Sequence, residues 1–368
     1  MLNSYQNYAD IPIIDGHTHI RFDRPVDDTV VTCETVMKKF GYDKIQVCAL
    51  PYFSIDENYK AFYIKSKLSP RIFVSAGLEH HYDERDTADY YLKEIKRYHK
   101  MGADGIKMFE GKINLYRKIK KTLCDSVFDE FYAYAEENKI PIILHLGDPL
   151  FVWNKSKCSQ YALDNGWFIT ENEPTREEFR AQIECVLEKF PKLHLILAHM
   201  YFMGDELERA EAMLNKWENV CFDITPGGEM FIGFTNRYDE WREFFIRYQE
   251  RILYGTDTYF NIPADAVNIE KYPRIKLVRN YLESKDIFKE ESMNYPFKPF
   301  NFSGEILEKI YYKNFIRIYG GNPRTLDNAE IVKGCKSVKE KGELSEISKQ
   351  SLKIIEEYFD KKIRGNNI

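Results

Sequence analysis

Eight short apolar runs, each separated from the next by a longer segment, limit this chain more than any other feature. The runs are Ile11–Asp15, Ile45–Leu50, Ile72–Leu78, Asp104–Phe109, Pro141–Leu146, His194–His199, Val220–Ile224 and Ile252–Thr256. They are apolar on both faces, which suits a parallel sheet covered on both sides. Strand alternating with helix implies parallel pairing. Eight such units favour closure into an α/β fold of the (β/α)8 TIM barrel type, with an open doubly wound sheet as the structural alternative.

The intervening segments carry helical signals. Thr175 and Glu178 form a capping box ahead of Phe179, Ile183, Val186, Leu187 and Phe190. Asp125 caps a segment with Val127, Phe128, Phe131, Tyr134 and Ala135 on one face. Residues 87–101 place Tyr91, Ile95 and Tyr98 on one stripe. Residues 1–325 are assigned to the barrel, and 326–368, rich in both charge signs, to a helical tail packed on it. Two connections are too long for turns, 147–174 after the fifth strand and 258–303 after the eighth. Both leave the C-terminal strand ends, where barrel active sites lie, and both are aromatic, so they read as binding loops or lids, with a helical insertion that only packs on the barrel as the alternative.

A net charge of −5 argues against non-specific nucleic-acid binding. No run is long enough for a membrane span, and the first ten residues lack the regions of a signal peptide. The seven cysteines are scattered and never spaced C-x-x-C. That predicts no disulfide framework, no Cys-based zinc site, and a cytoplasmic protein. No G-x-G-x-x-G follows an early strand, which speaks against a nicotinamide-dependent oxidoreductase.

Chemistry gathers at the strand ends. The first strand ends Asp15-Gly16-His17-Thr18-His19. Side chains alternate along a strand, so His17 and His19 point the same way and can grip one ion. Gly16 allows a bend or a close approach there. His145, His199 and Asp257 end or follow later runs. Any one of these alone reads best as a hydrogen-bonded polar residue at a strand end. Five together, on strands one, five, six and eight, read as a metal site at the barrel mouth.

D-G-H-T-H, the H of I-I-L-H, the H of L-A-H, and Y-G-T-D, in that order, resemble the amidohydrolase superfamily. The resemblance is nearest to the amidohydrolase-related group of metal-dependent decarboxylases and lactonases. It runs over about residues 11–325 and ends at Lys309–Gly320, similar to the group's closing helix. It implies that His17, His19, His145 and Asp257 hold one divalent ion, zinc by preference. It also implies that Asp257 moves protons and that His199 binds a second metal or polarises water or substrate. Some members carry a carbamylated lysine on strand four, for which Lys107 is the candidate. The single-metal branch implies an unmodified Lys107 and a mononuclear site.

Arg21, Lys107, Glu110 and Glu229 are candidate substrate-binding residues, each weighed against a plain structural role. Glu79-His80-His81 reads as pocket lining or solvated loop, and His194 as structural. The expected activity is a metal-dependent hydrolase using metal-activated water on a C–N or C–O bond of a small molecule. The alternatives are a metal-dependent decarboxylase of an aromatic or unsaturated acid and a non-catalytic small-molecule binding protein. The partners expected are a small-molecule substrate, with room for a homo-oligomer, and neither nucleic acid nor membrane.

Overall fold

The computed structural model describes residues 11–365 apart from 22, 228, 291–292, 303 and 341–343. Strands β1 (Ile13–His19), β2 (Tyr42–Cys48), β3 (Ile72–Gly77), β4 (Gly105–Gly111), β5 (Ile142–Leu146), β6 (Leu195–Leu197) and β7 (Val220–Asp223) pair in sequence order, all parallel. The eighth stave is broken. β8 (Ile252–Leu253) pairs with β7, and β9 (Thr258–Tyr259) pairs with β1. The Gly16 amide donates to the Tyr254 carbonyl at 3.0 Å, and the Asp257 amide to that of His17 at 2.8 Å. These bonds bridge the gap, so the TIM barrel expected from the alternation closes.

Ile14, Cys48, Phe73, Ile143, Ile196, Cys221 and Leu253, one from each of seven staves, form an inner cluster with Phe315. Phe315 stacks on Tyr319 with ring centres 4.5 Å apart and meets Phe73 edge-on at 4.9 Å. The helix Asn314–Tyr319 thus plugs the barrel floor. Outside the strands, the expected signals hold. Thr175 and Glu178 make both bonds of the capping box, and Tyr91, Ile95 and Tyr98 are fully buried. The helices Asn328–Glu340 and Glu346–Ile363 pack on each other and on the helix Glu57–Lys67. No helix among the described residues is long and apolar enough to cross a membrane.

One expectation is refined and a second corrected. The segment 258–303 is a structured insertion and not a loop alone: it holds β9, the helix Pro273–Glu283 and the hairpin β10 (Phe288–Glu290)/β11 (Tyr295–Phe297), while its Tyr259, Asn261 and Arg274 line the cavity at the barrel mouth. Its Phe260, Tyr272, Phe297 and Phe300 are buried in the core, because the insertion needs an apolar centre of its own. The second concerns cysteine. Cys124 and Cys185, 61 residues apart, form a disulfide with 6.0 Å between their Cα atoms. The helix Arg176–Lys189 brings Cys185 beside the 120–125 segment, a proximity that spacing along the chain does not reveal.

A buried ion pair ties the outer layer to the sheet. Lys65 donates to Asp104 at 2.6 Å and to the Gly102 carbonyl at 2.7 Å. Asp104 also accepts from the Val74 and Arg324 amides, both at 2.7 Å. Removing one partner strands a buried charge. Lys65→Met is therefore expected to cost roughly 3–5 kcal/mol, read from urea unfolding of parent and variant; a loss below ~1 kcal/mol would show the pair to be dispensable.

Candidate active site

At the C-terminal strand ends, β1 carries a register shift between Asp15 and Thr18. Gly16 sits inside it. A Cβ there would lie 3.0 Å from the Tyr254 carbonyl and 3.3 Å from the Phe315 ring, so any larger residue would push these neighbours back by a few tenths of an ångström. Gly255 plays the same part on the facing stave, where a Cβ would lie 3.0 Å from that of His17. The shift leaves His17 and His19 both facing the barrel mouth.

His17 Nε2 and His19 Nε2 are 3.1 Å apart, and Asp257 Oδ1 is 3.0 Å from the latter and 3.9 Å from the former. The outer nitrogens are anchored. His17 Nδ1 donates to Asp223 Oδ2 at 2.8 Å, and His19 Nδ1 to the Cys48 carbonyl at 2.7 Å. A carbonyl and an ionised carboxylate only accept, so each Nδ1 carries a proton and each Nε2 is turned inward. Burial, with Lys107 beside it, pushes His17 down to about 4, so it is neutral at pH 7. Burial alone would raise Asp223, but His17 and its hydrogen bond, with His199 and Thr225, hold it well below the carboxylate range.

Three atoms able to serve as ligands thus converge, the two ring nitrogens turned inward by the bonds behind them. Tetrahedral zinc bonds of ~2.0–2.1 Å place neighbouring donors ~3.3 Å apart, close to the spacing of His19 Nε2 from its two neighbours. His17, His19 and Asp257 form the one three-residue ligand group among the described residues, and its chemistry fits a divalent ion.

Other expected residues gather nearby without joining that group. The His145 ring is 5.0 Å from that of His199, but its Nε2 lies 3.0 Å from the Gly147 carbonyl. His199 is 5.7 Å, ring to ring, from His17. It lies past β6, in a turn where His199, Met200, Tyr201 and Phe202 all have φ between 47° and 58°. Left-handed residues cost about 1–2 kcal/mol each. The His199 amide donates to Asp223 Oδ1 at 2.8 Å and to the Thr225 hydroxyl at 3.1 Å, which helps hold the turn. Burial and the neighbouring His145 keep His199 well below its ordinary value, hence neutral.

Lys107 Nζ donates to His17 Nε2 at 3.1 Å, and burial lowers it. Glu110 departs from expectation. It points away from the cavity that Lys107 and Phe109 line, as strand alternation requires, and pairs with His80 at 2.8 Å. His80 is thereby a buried partner and not a solvated loop residue.

The metal group opens into a cavity of about 850 Å³ lined by Arg21, Lys107 and Glu229 among the expected residues. Arg21 is held there by Asp23, with bonds of 3.0 and 2.7 Å. Phe151, Tyr161 and Trp167 from the segment 147–174 form part of its wall. Four contributors carried no expectation from the sequence. Asp223 orients His17 and His199. Arg274 pairs with Asp257, and Lys112 with Asp148. Asp223 closes an apolar run and carried the same signal as His145, whereas Arg274 gave none.

Glu229 supplies a pH-dependent prediction. Burial pushes its carboxyl from 4.5 up to about 7, against Arg176 and with Asp205 and Asp148 adding to the rise. The native state therefore holds this proton more tightly than the unfolded chain. Its stability contribution is full below pH 4.5 and is lost as pH rises through about 7. Relative to the parent, Glu229→Gln is expected to gain roughly 2–3 kcal/mol in unfolding free energy between pH 4.5 and 8. Denaturant unfolding of both proteins across that range checks it, and a pH-independent difference would refute it.

Solved structures of known proteins share this architecture. Dihydroxybenzoic acid decarboxylase from Polaromonas, with bound manganese and 2-nitroresorcinol, is 12% identical, with 84% of this chain and 97% of that one covered and a TM-score of 0.52. A probable 2-pyrone-4,6-dicarboxylic acid hydrolase from Acinetobacter baumannii is 10% identical, with 84% and 100% covered and a TM-score of 0.52. 4-Oxalomesaconate hydratase from Rhodopseudomonas palustris is 14% identical, with 89% and 99% covered and a TM-score of 0.52. At these identities the likeness establishes the fold alone. No curated protein sequence matches the chain. The amidohydrolase family model matches residues 69–321, more than half of the sequence, and the chain belongs to that family.

Proposed function

We propose that this chain is a metal-dependent hydrolase acting on a C–N or C–O bond of a small organic substrate. The observation that carries the reading is the convergence of His17 Nε2, His19 Nε2 and Asp257 Oδ1, with each Nδ1 anchored from behind. These residues, with His145 turning inward as a further ligand, would hold one divalent ion, zinc by preference; manganese satisfies similar donors. When bound, the ion supplies Lewis acidity and makes water a nucleophile at neutral pH.

The chain's own groups do the rest. Asp257 is ionised and accepts the proton of the attacking water, then returns it to the leaving atom. Neutral His199 gives its Nδ1 proton to the Thr225 carbonyl at 3.3 Å, which leaves Nε2 as an acceptor that orients the attacking water. Lys107 stays an unmodified amine at the cavity floor, beside His17. Arg21 and Glu229 face the bound molecule from the mouth.

A second reading, decarboxylation of an aromatic or unsaturated acid, is favoured by the aromatic walls, among them Tyr52, Phe109, Phe151 and Trp167. Elemental analysis of protein purified without chelator, followed by product analysis on a panel of lactones, amides and aromatic acids, tests both. Hydrolysis products with about one ion per chain support the first reading. Carbon dioxide release would move the chain to the second, and protein without metal would end both.

A further inference from the structure

We propose that Arg274 is the receptor for an acid group on the substrate, so that the ligands of this cavity are anions. The inference deepens the metal-dependent reading and rests on it for where the reacting bond lies. Arg274 comes from the strand-eight insertion, at the start of the helix Pro273–Glu283, and lines the cavity with 44% of its side chain exposed. Its Nη1 alone makes both of its bonds, to the Asp257 carbonyl at 2.7 Å and to Asp257 Oδ2. Among the described residues, no atom accepts from its Nη2 or Nε. Three of the five guanidinium N–H groups therefore remain, in the planar fork that suits a carboxylate.

The other cations of the cavity are committed. Arg21 gives Nε and Nη2 to Asp23. Lys112 pairs with Asp148 and lies 4.0 Å from the centre of the Trp167 ring. Lys107 is buried against His17. Arg274 keeps the Nε–Nη2 edge of its fork unbonded among the described residues, in a cavity whose aromatic walls suit a flat organic body.

Its position also decides what the acid group does. Nη1 keeps Asp257 in place while the opposite edge takes the ligand. A carboxylate held by the fork is stabilised as an anion, and carbon dioxide would carry no charge to hold there. The acid at Arg274 is therefore a recognition handle. The bond that reacts belongs to a second functional group, lying over His17 and His19.

The test is calorimetric titration of the purified full-length parent, Arg274→Gln and Arg274→Lys with benzoate against benzamide and phthalate against phthalamide. Metal content is measured in each protein, and circular dichroism checks the fold. The parent is expected to prefer each carboxylate over its amide by roughly 10-fold or more. Glutamine should abolish that preference, and lysine, which keeps charge without the fork, should weaken it several-fold. If glutamine unfolds the protein, the lysine variant decides. No preference in the parent, or an undiminished one in either folded variant, would overturn the proposal. A metal-free parent would refute the metal reading while leaving the carboxylate comparison intact, so the two failures are distinguishable.

Discussion

Asp257→Asn is expected to lower turnover by at least ~10²-fold while most of the bound metal and the fold remain. Asp257 stands in the gap of the eighth stave with φ of 53°, a left-handed value that few residues other than glycine adopt. Two contacts hold it there: its amide donates to the His17 carbonyl, and Arg274 takes its own carbonyl. Oδ2 is engaged by Arg274, so Oδ1 alone faces the imidazoles. Burial would raise this carboxyl, but Arg274, His19 and His199 outweigh it and keep it well below the ordinary value. It is therefore an anion at neutral pH, free to receive a proton. Asparagine preserves the shape and offers one oxygen to an ion. It is also well suited to a left-handed backbone, but it cannot accept a proton. Turnover and metal content are measured together on the variant. Near-parental turnover with full metal would remove Asp257 from proton transfer, and activity fully restored by added metal would reduce it to a ligand.

What could be read from residue order is what depends on local period. The barrel follows from the alternation of apolar runs with helical stripes. The shared direction of His17 and His19 follows from a two-residue spacing. The same period, applied from Lys107, would have turned Glu110 outward; its nearness to the loop obscured that. Other features depend on contacts between distant segments. Asp223 matters because β7 faces β1, and Arg274 because an insertion helix leans over the mouth 17 residues after Asp257. The Cys124–Cys185 pair depends on helix packing. The left-handed turn at His199 has no glycine or asparagine to announce it, since H-M-Y-F holds residues that avoid that conformation. It persists because Asp223 and Thr225 hold the His199 amide, a tertiary condition with no trace in the local sequence.

That turn bears on function because strain at a site survives only where surrounding contacts over-determine it. Asp223 spends one oxygen on His17 Nδ1 and the other on the His199 amide. A single buried carboxylate therefore sets both the tautomer of one imidazole and the backbone of another. The coupling gives a physical reason for the site to behave as one unit, in which the position of His199 and the lone pair of His17 are fixed together.

Replacing His17 and His19 together by alanine is expected to bring metal content from about one ion per chain to nearly none. Both Nε2 atoms of the convergent group are lost, and Asp257 with a displaced His145 cannot complete a tetrahedral set. The fold should persist, because the inner cluster of Ile14, Phe73, Ile143 and Phe315 lies below the imidazoles and does not depend on them. Lys107 loses its acceptor on His17, a local cost of about 1–3 kcal/mol. Thermal unfolding separates the two effects. An ion that binds only the native state stabilises by about 2.7 kcal/mol at 100 times its dissociation constant. The parent stripped by chelator should therefore gain several degrees in Tm on adding zinc or manganese, and the double variant none. Ion content equal to that of the parent would remove the pair from the site. Equal loss of ion and of helical circular dichroism would show that the imidazoles serve the fold.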